Sequence, residues 1–332
     1  MTTRRRFVRT LAVASGAAAC SPLMALRSLA QPVNQVKILY GFPAGSSGDQ
    51  VARRVGEKFA GTPLSRNGAI VDNRPGAGGR VALELLRSSP ADGSVLALSP
   101  ASAVTIYPHT YTTLNYVPSE FVPISTAAYT TFGLAVGPAV PASVKTLRDF
   151  IAWARTNPAA ANFGSPGSGS APHFLGALLA MGTGIDLRHV PYRGSLPAVN
   201  EVIGGQIASS LTVSGDYLPF VKAGKLRVLA TSGKARSPYL PDVPTFTELG
   251  FPELVVDEWF GFFGPAGIST GVVAAAANVI NNALKDTSIA SSLLSIGLVA
   301  KGSTPEEMKR TIDVDYKRWE QLVKKVGFTA QS

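Results

Sequence analysis

Glycine and serine gather at a few points of this chain in groups that could hold an anion. Four stand out: Gly45-Ser46-Ser47-Gly48, Gly76-Ala77-Gly78-Gly79, Gly164-Ser165-Pro166-Gly167-Ser168-Gly169-Ser170 and Gly194-Ser195. Each falls between a short apolar run and a segment of helical periodicity, so each is read as the turn from a strand's carboxyl end to a helix's amino end. A helix amino terminus presents unpaired N–H groups and the positive end of its dipole, and glycine lets an anion approach that backbone closely. One such loop alone is as simply a tight turn with a serine cap. Several at the same edge of an open α/β sheet make a cradle for a carboxylate that needs no cationic side chain.

Other chemistry finds little support. No G-x-x-x-x-G-K-[ST] loop occurs, and the runs at Gly76 and Gly167 lack the third glycine of G-x-G-x-x-G. His109, His173 and His189 are isolated from one another in sequence and from acids at ligand spacing, so no metal or other cofactor is expected. His173, at a helix start after Ala171-Pro172, is read as a structural cap, and Asp49 as an acid complementing a first helical turn. A hydrolase or isomerase on an α/β scaffold remains the enzymatic alternative, without a nucleophile and base to carry it.

The 332 residues exceed what one core usually organises, and hydrophobic residues at 45% against 16% charged supply two well-filled domains. The formal charge of +10 suggests nucleic acid or a membrane surface at first. Five of the 31 basic residues, Arg4, Arg5, Arg6, Arg9 and Arg27, lie in 1–30, which holds no acid, and beyond it 26 basic face 21 acidic residues without a like-charge run. No nucleic-acid partner is expected. Residues 1–30 read as a cleavable export signal: a basic start, an apolar stretch from Thr10 to Leu26, and Ser28-Leu29-Ala30 before Gln31. Thr3-Arg4-Arg5-Arg6-Phe7-Val8-Arg9 resembles the twin-arginine pattern. Cys20 is the one cysteine and falls inside this segment, so disulfides and thiolate chemistry are not expected in an exported protein.

The loops must be positioned by alternating strands and helices. Strands are expected at Val36 to Tyr40, Ala69 to Val71, Val95 to Leu98, Phe132 to Val136, Asn162-Phe163, His189 to Tyr192, Leu226 to Ala230 and Trp259 to Phe263. Helices follow from Asp49, around Val81 to Leu86, at Leu147 to Arg155, around Phe174 to Leu179 and from Leu196, then at Val272 to Asp286 and Pro305 to Val326. The proline-rich stretch from Ser237 to Pro252 suits an ordered surface connection.

At these loops the chain resembles the Bug-type receptors, periplasmic solute-binding proteins of tripartite tricarboxylate transport systems. The likeness begins at Phe42-Pro43-Ala44-Gly45-Ser46-Ser47-Gly48-Asp49. It continues through Val71 to Gly79, Pro90-Ala91-Asp92-Gly93, Gly164 to His173, Val190-Pro191-Tyr192-Arg193-Gly194, Gly204-Gly205-Gln206, Ala223 to Arg227 and Trp259-Phe260-Gly261. The resemblance implies an α/β fold of the two-domain periplasmic-binding-protein type, a type II Venus flytrap with ligand in the interdomain cleft. On that reading domain 1 is discontinuous, 31–128 and 233–332, domain 2 is 129–232, and the chain crosses near Ala128 and Thr231.

By the same resemblance the first domain offers Phe42, Gly45, Ser46, Ser47, Asp49, Arg74, Gly76, Ala77, Ser99 and Ser102 to the ligand. The second offers Ser165, Gly167, Ser168, Ser170, His173, Tyr192, Arg193, Gly194, Thr212 and Ser214. Ser46 replaces the family's usual second glycine, and Thr212 stands where many relatives have Asp or a small residue. The implied protein is a monomeric, non-enzymatic receptor for a small organic carboxylate, serving membrane permease subunits or, alternatively, a sensor protein. N-terminal sequencing of the exported protein is expected to start at Gln31; a lipid-modified start at Cys20 would contradict the cleavage site.

Overall fold

The structure, a computed structural model, describes residues 31–330; the expected export signal and Cys20 lie outside them. Ten strands and eleven α-helices follow in order: β1 (Val36–Tyr40), α1 (Ser47–Gly56), β2 (Ala69–Asn73), α2 (Arg80–Arg87), β3 (Val95–Pro100), α3 (Ser102–Thr105), α4 (Tyr107–Thr110) and β4 (Phe121–Val136). Then come α5 (Leu147–Thr156), β5 (Asn162–Ser165), α6 (Ala171–Thr183), β6 (Arg188–Pro191), α7 (Ser195–Ile203), β7 (Ser209–Val213), α8 (Leu218–Lys222) and β8 (Arg227–Thr231). β9 (Asp257–Pro265), α9 (Thr270–Lys285), α10 (Thr287–Leu294), β10 (Val299–Ala300) and α11 (Pro305–Val326) complete the chain.

Two sheets share one strand. In the first the order is β2-β1-β3-β9-β4-β10, with β1 parallel to β2 and β3 and the later pairs antiparallel. In the second it is β6-β5-β7-β4-β8. β4 serves both because its 16 residues divide: Phe121 to Thr131 pair with β9, and Phe132 to Val136 with β7 and β8. Helices cover the sheets through apolar faces such as Val51, Ala52 and Val55 of α1 and Ala276, Ile280 and Ala283 of α9, all buried. The two sheets with their helices make two lobes, the arrangement that the resemblance implies.

Periodicity placed Phe132 to Val136 in a strand but did not extend it back to Phe121. The reason is chemical: Pro123, Ser125, Thr126, Thr130 and Thr131 read as loop composition. The hydroxyls of Thr126 and Thr130 find carbonyls in the chain alongside. Thr126 Oγ1 donates to Lys301 O at 3.0 Å, and Thr130 Oγ1 to Gly297 O at 3.0 Å. Satisfied this way, they are buried at little cost. Pro123 lies where the register to β9 slips, so its missing N–H breaks no regular ladder.

The two lobes join again where β8 ends. Ser232, fully buried, stitches this crossing: its N–H donates to Phe132 O at 2.9 Å, its hydroxyl accepts from Phe132 N at 2.9 Å and donates to Val256 O at 2.5 Å. Downstream, Phe246 N donates to Thr231 O at 2.8 Å and the Phe246 side chain is buried, so the proline-rich stretch is anchored to the same junction. Removing the hydroxyl leaves a buried N–H and a buried C=O unpaired, at about 1–3 kcal/mol for such a loss. Ser232→Ala is expected to lower the urea midpoint accordingly, with an unchanged m-value.

Candidate functional site

A space open to solvent lies between the lobes, lined from both sides. From the first lobe come Tyr40, Phe42, Ser46, Ser47, Gly48, Pro100, Ser102, Tyr107, Glu258 and Phe260; from the second come Phe132, Pro166, Ser170, Pro172, Ser195, Val213 and Asp216. The strand-to-helix turns at the ends of β1, β3, β5, β6 and β7 bring these residues together, as expected for the carboxyl edge of α/β sheets. Five aromatic rings, Tyr40, Phe42, Tyr107, Phe132 and Phe260, make the walls largely apolar.

Of the residues singled out from sequence, Phe42, Ser46, Ser47, Ser102 and Ser170 line this space. Others brace it. Asp49 Oδ2 accepts from Gly45 N at 2.8 Å and Arg53 Nε at 2.9 Å, and Oδ1 accepts from Asn73 Nδ2 at 2.9 Å. Burial pushes the Asp49 carboxyl up, but these three donors outweigh it and hold it below its ordinary range. Arg74 is exposed and clamps Asp72 through two hydrogen bonds of 2.8 and 3.0 Å. Ser99 donates to Pro100 O, Ser214 to Thr131 O, and the Thr212 hydroxyl is buried against Val213 O. Tyr192 is half-buried and Arg193 exposed; neither lines the space.

The glycine loops also hold the protein together. Several of their amides are already committed: Gly45 N to Asp49, Ser47 N to Asp216 Oδ1 at 3.2 Å, Gly169 N to His173 Nδ1 at 3.1 Å, and Ala171 N to Ser102 Oγ at 3.3 Å. The glycines admit the opposite lobe. A Cβ on Gly167 would sit 3.2 Å from Gly78 Cα, and one on Gly194, held at φ +125°, 2.8 Å from Pro43 Cδ. Tyr111 Oη closes the rim by donating to Ser168 O at 2.6 Å. Gly76 and Ala77 shape the turn whose Gly78 O accepts from Tyr107 Oη at 2.8 Å.

The histidines, isolated in sequence, are not isolated in space. Pairing of β5 with β6 sets His189 opposite Phe163, and the start of α6 lays His173 over it, with ring centroids 3.9 Å apart. His173 Nδ1 caps the loop through Gly169 N. Burial lowers His173 to about 4, and burial with the neighbouring imidazole lowers His189 to about 3, so both are neutral at neutral pH. Ser165 Oγ lies 2.7 Å from His189 Nε2 and donates to Gly167 O at 3.0 Å. Which of the two atoms donates depends on the imidazole tautomer, and in either case the contact braces the loop from beneath.

Two acids that the sequence reading passed over dominate the electrostatics. Asp216, at the turn after β7, accepts from Ser47 Oγ at 2.5 Å and from Ser47 N, across the cleft at the amino end of α1. Burial raises its carboxyl; the hydroxyls of Ser47 and Ser195 pull the other way, and only that of Ser47 meets hydrogen-bond geometry. Glu258 accepts from Ala101 N at 2.9 Å and from Ser102 Oγ at 3.3 Å. Burial, aided by the nearby Asp315 carboxylate, pushes Glu258 up to about 8 against the backbone and Ser102 donors. An acid directly before the apolar run Trp259-Phe260-Gly261-Phe262-Phe263 was the available signal for Glu258, since unpaired acids are rarely buried. Asp216 carried none.

The family described as "Tripartite tricarboxylate transporter family receptor" matches residues 51–328. The chain belongs to this family. Protein BugT of Bordetella pertussis is 30% identical over 301 residues, 89% of this chain and 90% of BugT. Among solved structures, Rpa4515 of R. palustris, determined with adipate, superposes at TM-score 0.84 with 28% identity, covering 91% of this chain and 99% of that one. MatC from Rhodopseudomonas palustris, with bound malate, gives 0.81 at 25% identity, covering 88% and 99%. Family and neighbours are binding proteins, and no helix among the described residues is long and apolar enough to cross a membrane.

Glu258 makes a pH prediction. Its folded pKa of about 8 stands above its ordinary 4.5, so its contribution to stability is complete below pH 4.5 and is lost as pH rises through about 8. Wild type is therefore expected to lose stability relative to Glu258→Gln across that window, with denaturation midpoints converging at its acid end; the histidines cancel because both proteins carry them. A constant difference between the two proteins would show Glu258 to be ionised throughout.

Proposed function

We propose that this chain is a periplasmic, non-enzymatic receptor that captures a small organic carboxylate between its lobes and delivers it to the membrane permease subunits of a tripartite tricarboxylate-type transporter. The observation that carries the reading is the space lined from both lobes in a member of this receptor family. Relatives solved with adipate and malate support a carboxylate as the ligand class. We take residues 31–128 with 233–332 as one lobe and 129–232 as the other, a division supported by the change of partners along β4 at Thr131 and Phe132. The ligand site on this reading comprises the cavity-lining members of the set read from sequence, Phe42, Ser46, Ser47, Ser102 and Ser170, together with Ser195, Asp216 and Glu258.

A thermal-shift and calorimetric screen of aliphatic and aromatic carboxylates tests the proposal. A true ligand at a hundred times its dissociation constant is expected to add about 2.7 kcal/mol of stability; a folded protein that none of them stabilises would defeat the reading. Arg74→Ala is expected to shift the dissociation constant of a hit by less than about threefold, since Arg74 is exposed and occupied by Asp72. Gly167→Val is expected to weaken the same hit by tenfold or more, about 1.4 kcal/mol, by holding the loop off Gly78.

A further inference from the structure

We propose that Asp216 is a specificity-determining residue: the cavity takes a carboxylate that also bears a hydroxyl or ammonium group, and that donor hydrogen-bonds to Asp216 Oδ2. The inference rests on the reading of the cavity as a carboxylate site. Asp216 is 8% exposed and lines the cavity. Its Oδ1 is taken by the amide and hydroxyl of Ser47, whereas Oδ2 is buried with no hydrogen-bond partner among the described residues. A buried carboxylate oxygen without a donor is costly, and a ligand that brings one recovers that cost.

The rest of the lining decides the direction of the bond. Among the described residues no lysine or arginine lines the cavity, and the other carboxyl, Glu258, already has donors on both oxygens, Ala101 N on one and Ser102 Oγ on the other. The unmet demand at Asp216 is therefore for a donor. Burial raises the Asp216 carboxyl, and the two hydrogen bonds from Ser47 at the positive end of α1 oppose that rise by favouring the ionised form, which accepts. An ionised acid without a substituent carries no donor and meets like charge there; the same acid with a hydroxyl or ammonium meets its complement. The aromatic walls take the apolar body of the ligand.

The test is calorimetry at neutral pH on matched series: succinate with malate and aspartate, propionate with lactate and alanine, benzoate with salicylate. Each is measured on wild type, Asp216→Ala and Asp216→Asn after circular dichroism confirms folding. In at least one series wild type is expected to bind a donor-bearing member tenfold or more tighter than the unsubstituted acid, and Asp216→Ala to reduce that ratio to within about threefold. Asp216→Asn, which keeps the shape and loses the charge, supplies the comparison if the alanine variant does not fold, and is expected to lose preference for ammonium most. Equal or tighter binding of the unsubstituted acids by wild type overturns the inference, as does a preference that survives in the folded variants. Binding without preference leaves the receptor reading standing; binding of no acid in any series removes the receptor reading and this inference with it.

Discussion

One strand belongs to two sheets, and that constraint sets everything else. Because β4 continues from the first sheet into the second, the two lobes cannot separate, and the loops leaving their parallel strands are turned toward one another. Ser232 fixes the return crossing against Phe132, so the lobes are tied by two adjacent segments. The cleft is the space left between sheet edges held at that angle. Its lining comes from the residues that end β1, β3, β5, β6 and β7, with Phe132 of β4 and Glu258 and Phe260 of β9 between them.

Within the cleft, closure and recognition use the same atoms. The amino end of α1, suited to an anion, is met by the protein's own carboxylate: Asp216 reaches across from the second lobe to Ser47. A charge-assisted bond of this kind is stronger than a neutral one, and it operates where water is scarce. It draws the lobes together and at the same time leaves a second carboxylate oxygen facing the cavity. Glu258, raised by burial, adds a second acidic group to a lining without a cation. The cavity is thus apolar in its walls, with the buried Asp216 Oδ2 as its unpartnered polar atom among the described residues.

The glycine loops fit the same picture. Gly78 with Gly167, and Gly194 with Pro43, meet across the rim at distances that leave little room for a side chain. Their chemistry is that of close approach between backbones. The serines among them either line the cavity, as Ser46, Ser47, Ser102 and Ser170 do, or hold loops in place, as Ser165 does between Gly167 and His189.

By itself the sequence determined the class of fold, the order of most elements, and the loops from which the site is built, because periodicity and turn chemistry are local properties. It also carried the likeness to the receptor family, which runs through those same loops. The first half of β4 was hidden, since its hydroxyl-rich composition becomes a buried strand only when Lys301 and Gly297 supply acceptors from the far end of the chain. The stacking of His173 on His189 was hidden for a similar reason: 16 residues of sequence separate them, and only the pairing of β5 with β6 makes them neighbours. Asp216 is the clearest case. In sequence it is an ordinary acid two residues beyond Ser214; in the fold it lies 169 residues from its partner Ser47 and within hydrogen-bond reach of it. Residue types and spacing specify what each loop is able to do, but which loops face each other depends on the packing of two sheets, and there the choice between cradling an anion and clasping the opposite lobe was made.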